Sequence, residues 1–500
     1  MLKKITPCAV LVAVLAGCAP RTLERAVTYF VDQEHARDAG VRRTSATWHM
    51  RFNADLLYDL DSAIAEPDPA QSRELARGTL LAAGRLARES LAGEIDRLSP
   101  AGRAELARRA RCAADAETLK NTILALAEAA TETEIAQLDQ AGAVALQRRL
   151  RQIRAGVEPL PDDRARGLRR IALVGAALPV AIGVDAKERE LREDARREPP
   201  RMLERAALWR PAEADPGAPL GQFAPLIAVE WPERRDYPED VDRIGRVALA
   251  GTRARVQVLV QPEAPLVYTY LSTARIHGRR HQQLNYVWWF SDRPALVADD
   301  PVAGHIDGGT LRVTLDAAGR RAAVAEVILN CGCGHVLYVA DWLEAAARRE
   351  FGPPEKDARY AVERTSGRYP VLVAGVFDSE APPVRPVVLL AAGSHEPLAL
   401  RLAADEEGIA KTIVERRGYA LCDYDALDRL PLEDGVASMF GPDGLVHFAG
   451  RREGFLLAPS GILSAGQPRK RGTQRIRWDE YLFDDPALLA RGLRFPIGGE

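Results

Sequence analysis

Cys331-Gly332-Cys333-Gly334-His335 places two thiols and an imidazole at alternate positions with only glycine between them. Such a run can fold round a soft or borderline ion, zinc or copper, because thiolate and imidazole suit both and glycine permits a tight wrap. It can equally hold a disulfide, or leave the thiols inert. The spacing is not the Cys-x-x-Cys-His of covalent haem attachment, and no second cysteine pair completes a zinc ribbon. Four of the eight histidines lie between Val267 and Ala340, so further ligands are sought there. His277 and His281 are the nearest candidates. On a straight strand they would stand roughly 13 Å apart, at about 3.3 Å per residue. Across a hairpin they come within ~5.5 Å at the Cα level. The candidate metal set is therefore Cys331, Cys333, His335, His277 and His281, with Arg275, Gln283, Asn285, His305 and Asp307 as further members of a possible site. If the site were catalytic, Asp307 or another carboxylate would act as base toward a metal-activated water.

The elements that must position these groups read as a β-sheet. Val267–His277 and His281–Phe290 alternate as two strands, with Gly278-Arg279-Arg280 as a three-residue turn that sets His277 opposite His281. Leu284, Tyr286, Trp288 and Phe290 then share a core face, while His281, Gln283 and Asn285 share the other. In that register Thr273, Arg275 and His277 join the polar face. The face is either solvated or the floor of a site, and solvation is the commoner outcome for an antiparallel sheet. Gly304 to Gly309 reads as a turn, Leu311–Asp316 as a strand, Ala317 to Arg320 as the next turn and Ala322–Leu329 as its return strand.

The rest of the chain divides by texture. Arg21 to Ala65 reads as one or two helices, with Leu56, Leu57 and Leu60 on one side and His35 and His49 structural. Ala, Leu, Glu and Arg at helical spacing predict helices over 69–98, 100–112, 116–130 and 132–155, with Ser99-Pro100 a capped start and Thr131/Glu134 a capping box. Short connections make them antiparallel neighbours, with Cys112 in their core. Pro199 to Pro225, rich in proline, reads as a linker. Beyond it, short alternating runs at Arg255–Val260, Pro370–Phe377, Val387–Ala391 and Gly454–Ala458 predict strands, and Asp341–Glu350 and Glu406–Arg416 predict helices. The expected class is α+β: a helical bundle over 19–198, the linker over 199–225, and a β-rich, antiparallel domain over 226–500.

No familiar catalytic signature fits. Gly393-Ser394-His395 lacks the outer glycines of a hydrolase elbow, and His395-Glu396-Pro397 has Ala399 where a zincin needs histidine. His447 follows a turn and reads as a surface histidine. The basic run Pro468-Arg469-Lys470-Arg471, with Arg475, Arg477 and Trp478, reads as a solvated loop, an anionic lipid or glycan head group being its alternative role. Whether the protein is an enzyme is left open.

The first 18 residues set the address. Lys3 and Lys4, the apolar run Ala9 to Leu15, and Leu15-Ala16-Gly17-Cys18 resemble the signal and lipobox of bacterial lipoproteins. The resemblance implies export, cleavage before Cys18, and acyl chains, palmitate among them, on that cysteine. It implies anchorage facing the periplasm, with Ala19 rather than Asp favouring the outer membrane. Losing two lysines from 68 basic and 70 acidic residues leaves a formal charge of −4, which argues against nucleic acid as a partner. The partners expected are the membrane and an envelope protein. Ile171–Val184, fourteen uncharged residues, is too short to span a bilayer and reads as a buried helix kinked at Pro179, membrane contact being the alternative. In an oxidising compartment Cys112, Cys331, Cys333 and Cys422 form an even set, and Cys422 with Cys331 or Cys333 is the preferred disulfide. A 331–333 bond would close a small, readily reduced ring. The expected function is a membrane-anchored lipoprotein, metal-binding at the central stretch. Its alternatives are a non-catalytic scaffold with a structural disulfide, and a lipid or glycan binder.

Overall fold

The computed structural model describes residues 20–113, 115–160, 202–212, 218–356, 358–364, 373–378, 385–403, 406–457, 465–476 and 481–497. The lipobox with Cys18, the apolar run 171–184, and Arg477 with Trp478 lie outside them. The fold is α+β, with N-terminal helices preceding a β-rich region. The chain forms two compact units: Met1–Pro161 with Gly251–Arg255 and Asp428–Gly444, and Asp162–Ala250 with Val256–Leu427 and Leu445–Glu500.

In the first unit the helices are Pro20–Gln33, Ala54–Ala65, Pro69–Asp96, Pro100–Ala110, Ala116–Gln140 and Ala143–Ala155, with a hairpin of β1 (Arg42–Thr44) and β2 (Thr47–Phe52) that the helical reading of 21–65 missed. Four starts are capped by short polar side chains: Asn53, Asp68, Ser99 and Asp115 each accept from a backbone N–H of the first turn. The Pro69–Asp96 helix feeds two apolar clusters, Leu91 and Ile95 in one and Ala76, Leu80 and Ala83 in the other. The predicted break at residue 131 is absent. Thr131 donates to Ala127 O at 2.9 Å inside a continuous helix, and it fills the space that a side chain on Gly84 would need. The break comes at Ala141-Gly142 instead.

The second unit is built on β3 (Leu203–Pro211), β4 (Leu226–Glu230), β5 (Arg246–Thr252), β6 (Arg255–Gln261), β7 (Leu266–Ile276), β8 (Arg279–Arg293), β9 (Gly304–Leu315), β10 (Ala322–Leu329), β11 (Val336–Ala340), β12 (Val373–Phe377), β13 (Arg385–Leu390), β14 (Pro397–Ala403) and β15 (Ala410–Asp423). Eleven of these form one sheet in the order β12-β11-β10-β9-β8-β7-β15-β3-β4-β13-β14. It is mixed: β15 runs parallel to both β7 and β3, as do β12 to β11 and β13 to β4.

Several expectations change here. The 199–225 linker contains β3, an inner strand, its proline Pro211 sitting at the strand end where a missing N–H is tolerated. Of the expected 406–416 helix, residues 410–416 lie in β15 and 406–409 form the turn before it; of the expected 454–458 strand, residues 454–457 lie in the Arg452–Leu457 helix. Gly304 to Gly309 is strand rather than turn. A side chain on Gly309 would meet the Trp288 ring and one on Gly308 the Trp288 carbonyl, so these glycines admit the two buried tryptophans of β8.

Both faces of β7–β10 are covered. Leu284, Tyr286, Trp288 and Phe290 join Leu311, Val313 and Val327 in the main apolar core, as their alternation predicts. The opposite face carries Tyr270, Asn285, Arg312 and Glu326 in cross-strand register, and Gln474, Phe483 and Asp484 reach it. Arg312 donates to Phe483 O at 2.7 Å, Tyr270 OH to Asp484 Oδ1 at 3.2 Å and Gln474 to Leu329 O at 3.1 Å. Hence His281, Gln283 and Asn285 are buried, not solvated.

Candidate functional site

The thiols sit in the connection from β10 to β11. Cys331 is buried and Cys333 is an exposed residue. Gly332 has φ +90°, and a Cβ there would lie 1.9 Å from Arg475 O, so only glycine fits between the loop and the basic segment crossing it. Arg469 N donates to Asn330 O at 3.0 Å from the same segment. Arg469, Lys470 and Arg475 are about as buried as core residues, which corrects the solvated-loop reading. Each thiol acts on the titration of the other, and the Arg451 guanidinium acts on both. The neighbouring Cys333 thiol, against the cost of burial and with help from Arg451, holds Cys331 below the ordinary thiol range. Cys331 in turn, with burial and Glu453, pushes Cys333 well above it. The pair thus gives up its first proton easily and its second with difficulty. Cys333 reaches the surface while its sulfur stays crowded.

Arg451 is fixed by a buried charge cluster. Its Nη2 donates to Asp307 Oδ1 at 3.0 Å and to Ile306 O at 3.0 Å. Asp307 Oδ2 meets His395 Nδ1 at 2.8 Å, and His395 Nε2 stands 3.4 Å from Asp242 Oδ1. Phe290 stacks on the His395 ring at 3.8 Å, and Tyr237 and Arg235 reach Asp242 Oδ2 at 3.1 and 3.2 Å. Burial disfavours the charge on His395, but both carboxylates outweigh it and raise the ring above the usual histidine range. Burial likewise opposes ionisation of Asp307, yet Arg451, His395 and Arg293 hold it far below the carboxylate range. Asp307 is fully buried with one oxygen on Arg451 and the other on His395, so nothing here supports the general-base role expected of it. Its role here is to orient Arg451.

The other expected members go elsewhere. The turn is His277-Gly278, both at positive φ as a two-residue turn of the I′ kind requires, so Ala274 rather than His277 faces His281. Thr273, Arg275 and His277 consequently fall on the opposite side of β7 from His281. His277 bonds Phe495 O at 2.9 Å and His281 bonds Leu315 O at 2.9 Å. His335 bonds Glu326 Oε1 at 2.9 Å, on the polar face beside Arg312. Gln283 pairs with Ser272 and Thr314, Asn285 with Ser272 and the Tyr270 carbonyl. His305 bridges Asp292 and Val258 O, and Arg275 N donates to Pro486 O. The five proposed ligands are not brought together, and among the described residues no group of three or more His, Cys, Asp or Glu is placed to hold a metal ion.

The preferred disulfide fails on geometry. Cys422 lies in β15, and β7, β8 and β9 separate β15 from β10. At about 4.8 Å per strand that is roughly 19 Å, against the ~7 Å a disulfide spans between Cα atoms. All four described cysteines are free. Arg451, Asp242 and His395 were missed because no spacing links positions 242, 307, 395 and 451. The one local signal was Gly393-Ser394-His395, whose left-handed histidine backbone (φ 54°) marks a special turn. Compared with known proteins, the chain matches no family model, no curated protein and no solved structure.

Proposed function

We propose that this chain is a lipid-anchored protein of the bacterial cell envelope, facing the periplasm, whose second unit presents a reactive dithiol, Cys331 and Cys333. The observation that carries the chemistry is a pair of free cysteines one residue apart on the β10–β11 connection, in the field of the buried Arg451 guanidinium. A neighbouring cation favours thiolate, and thiolate is the nucleophilic form. The same guanidinium repels a metal cation, and no third ligand stands beside the pair among the described residues. These two facts favour covalent thiol chemistry over the ion site expected from Cys331, Cys333 and His335. The lipobox-like run ending at Cys18 supports the address, and the membrane is then the first partner. Among the described residues no helix is long and apolar enough to cross a bilayer; the attachment proposed is acylation of Cys18. Two measurements test the reading. Cells fed a labelled fatty acid are expected to acylate the wild-type chain and not Cys18→Ser; label on both would reject the anchor. Alkylation of the full-length protein is expected to modify the 331/333 pair before Cys112 and Cys422; the reverse order would reject the reactive dithiol.

A further inference from the structure

The Ala143–Ala155 helix has two faces. Leu146, Leu150 and Ile153 are buried, while Val144, Arg148, Arg151 and Ala155 recur at helical spacing as an exposed stripe. That stripe forms one wall of a groove, and the end of the Ala54–Ala65 helix with the turn into the Pro69–Asp96 helix forms the other. The groove holds about 790 Å³, within the range of roughly 300–1,000 Å³ where small-molecule sites fall. Its apolar lining comes from Ile64, Pro67, Pro69, Val144 and Leu146, with Val144 74% exposed.

The charges on this groove do not balance. Elsewhere on the same helix Arg149 meets Glu134 at 2.6 Å and Arg154 meets Asp61 at 2.7 Å. Arg148 and Arg151, which line the groove, have no carboxylate partner among the described residues. Glu66 is the one carboxylate on the lining, and its Oε1 is engaged by Asp68 N at 3.0 Å. Two guanidiniums against one carboxylate leave the lining with a net charge of 2 − 1 = +1. Along the helix axis Arg148 lies about 6 Å and Arg151 about 10 Å beyond Val144, at 1.5 Å rise per residue. Hydrocarbon surface therefore comes first along this wall and cations follow. The complement of that order is a molecule with an apolar chain at one end and a single negative charge at the other.

We infer that this groove binds a monoanionic amphiphile with one hydrocarbon chain, a fatty acid, whose chain lies on the apolar lining and whose carboxylate meets Arg148 and Arg151. The apolar walls supply affinity, which grows with each methylene buried. The arginines present planar forks that match a carboxylate, and being exposed they select the head group more than they tighten binding. A neutral chain leaves them unpaired and a cationic one is repelled. All the lining residues belong to the first unit, and the inference does not use the Cys331/Cys333 pair.

The test uses the full-length protein in phosphatidylcholine nanodiscs, with dodecanoic acid carrying a terminal diazirine as the photoactivated probe and the corresponding alcohol as its neutral match. Peptide mass spectrometry is expected to place the acid's label within residues 64–69 and 143–155. The alcohol is expected to label these segments about tenfold less, and unlabelled dodecanoate to compete about tenfold better than octanoate. Replacing Arg148→Glu and Arg151→Glu together is expected to lower labelling by the acid about tenfold and to leave labelling by the alcohol within about twofold. Both positions are exposed, so the unfolding midpoint is expected to stay unchanged; if it falls, the comparison of acid with alcohol on the wild-type protein decides. Label confined to other segments, equal labelling by acid and alcohol, or acid labelling that survives the double substitution would overturn the site.

Discussion

Arg312 and Glu326 meet across β9 and β10 in a two-pronged pair at 2.7 and 3.0 Å, with both side chains essentially inaccessible. Burial opposes the charge on Glu326, but Arg312 and His335 outweigh it and hold the carboxyl at about 2. Removing one partner of such a pair leaves an uncompensated buried charge, a loss of about 3–5 kcal/mol. Arg312→Met is therefore expected to lower the stability of the second unit by about that amount in chemical denaturation; a change under about 1 kcal/mol would mean the pair is not desolvated. His49 is the opposite case. Both ring nitrogens are buried without a hydrogen-bond partner, and burial lowers its pKa to about 4, Glu134 opposing and Arg149 and Arg51 assisting. The unfolded ring titrates near 6.5, so between pH 6.5 and 4 the unfolded chain binds the extra proton and stability falls as pH falls. The loss contributed by this group approaches roughly 3 kcal/mol at the low end of that window. His49→Leu is expected to flatten the pH dependence of unfolding of the helical unit there; an unchanged slope would show that His49 is not buried neutral. That His49 is structural was legible from its isolation in the sequence. The pairing of Arg312 with Glu326 was not, because a charged residue inside a strand reads as solvent-facing until the segment that covers it is known.

At the scale of elements, period and caps were informative and register was not. The alternation of Leu284 to Phe290 identified the core face of β8, and Ser99-Pro100 marked a helix start that its side-chain bond to Gly102 N at 3.0 Å bears out. Thr131/Glu134 carried the same local signal and lies mid-helix, since packing against Gly84 decides that position. The turn between β7 and β8 is His277-Gly278 rather than Gly278-Arg279-Arg280, which shifts the register by three residues, and in a strand of period two an odd shift moves every side chain to the other face. That slip alone separated His277 from His281. The glycines of β9 misled in the same way: Gly308 and Gly309 punctuate a sequence as a turn does, yet they make room for Trp288 and Trp289. Gly309→Ala places a methyl 2.6 Å from the Trp288 ring. It is expected to destabilise the protein by about 1–3 kcal/mol through overpacking and to alter tryptophan fluorescence. Unchanged stability and emission would show that the ring is free to move.

At the scale of the whole molecule, composition and texture separated a helical from a β-rich region, but the sheet's membership depended on distant pairings. β15 joins β7 to β3, and β3 arises from a stretch that proline content marked as linker. The candidate site suffered most from this. Cys331 and Cys333 were conspicuous in the sequence, whereas Arg451, the cation whose field reaches both, lies more than a hundred residues downstream and is brought in by Asp307. The proposed anchor predicts that Cys18→Ser shifts the protein from the membrane to the soluble fraction of the envelope without changing its unfolding midpoint. An unchanged membrane fraction would argue for another attachment.

The measurement that bears most directly on the dithiol is the pH dependence of alkylation at each cysteine of the full-length protein, read by mass spectrometry. Burial raises Cys112 and Cys422 above the ordinary thiol range, so they serve as internal references. The account predicts that the 331/333 pair becomes reactive at a lower pH than either reference, takes up a single label, and loses that advantage in Arg451→Met. A pair that titrates with Cys112 and Cys422, or that reacts equally with and without the guanidinium, would contradict it.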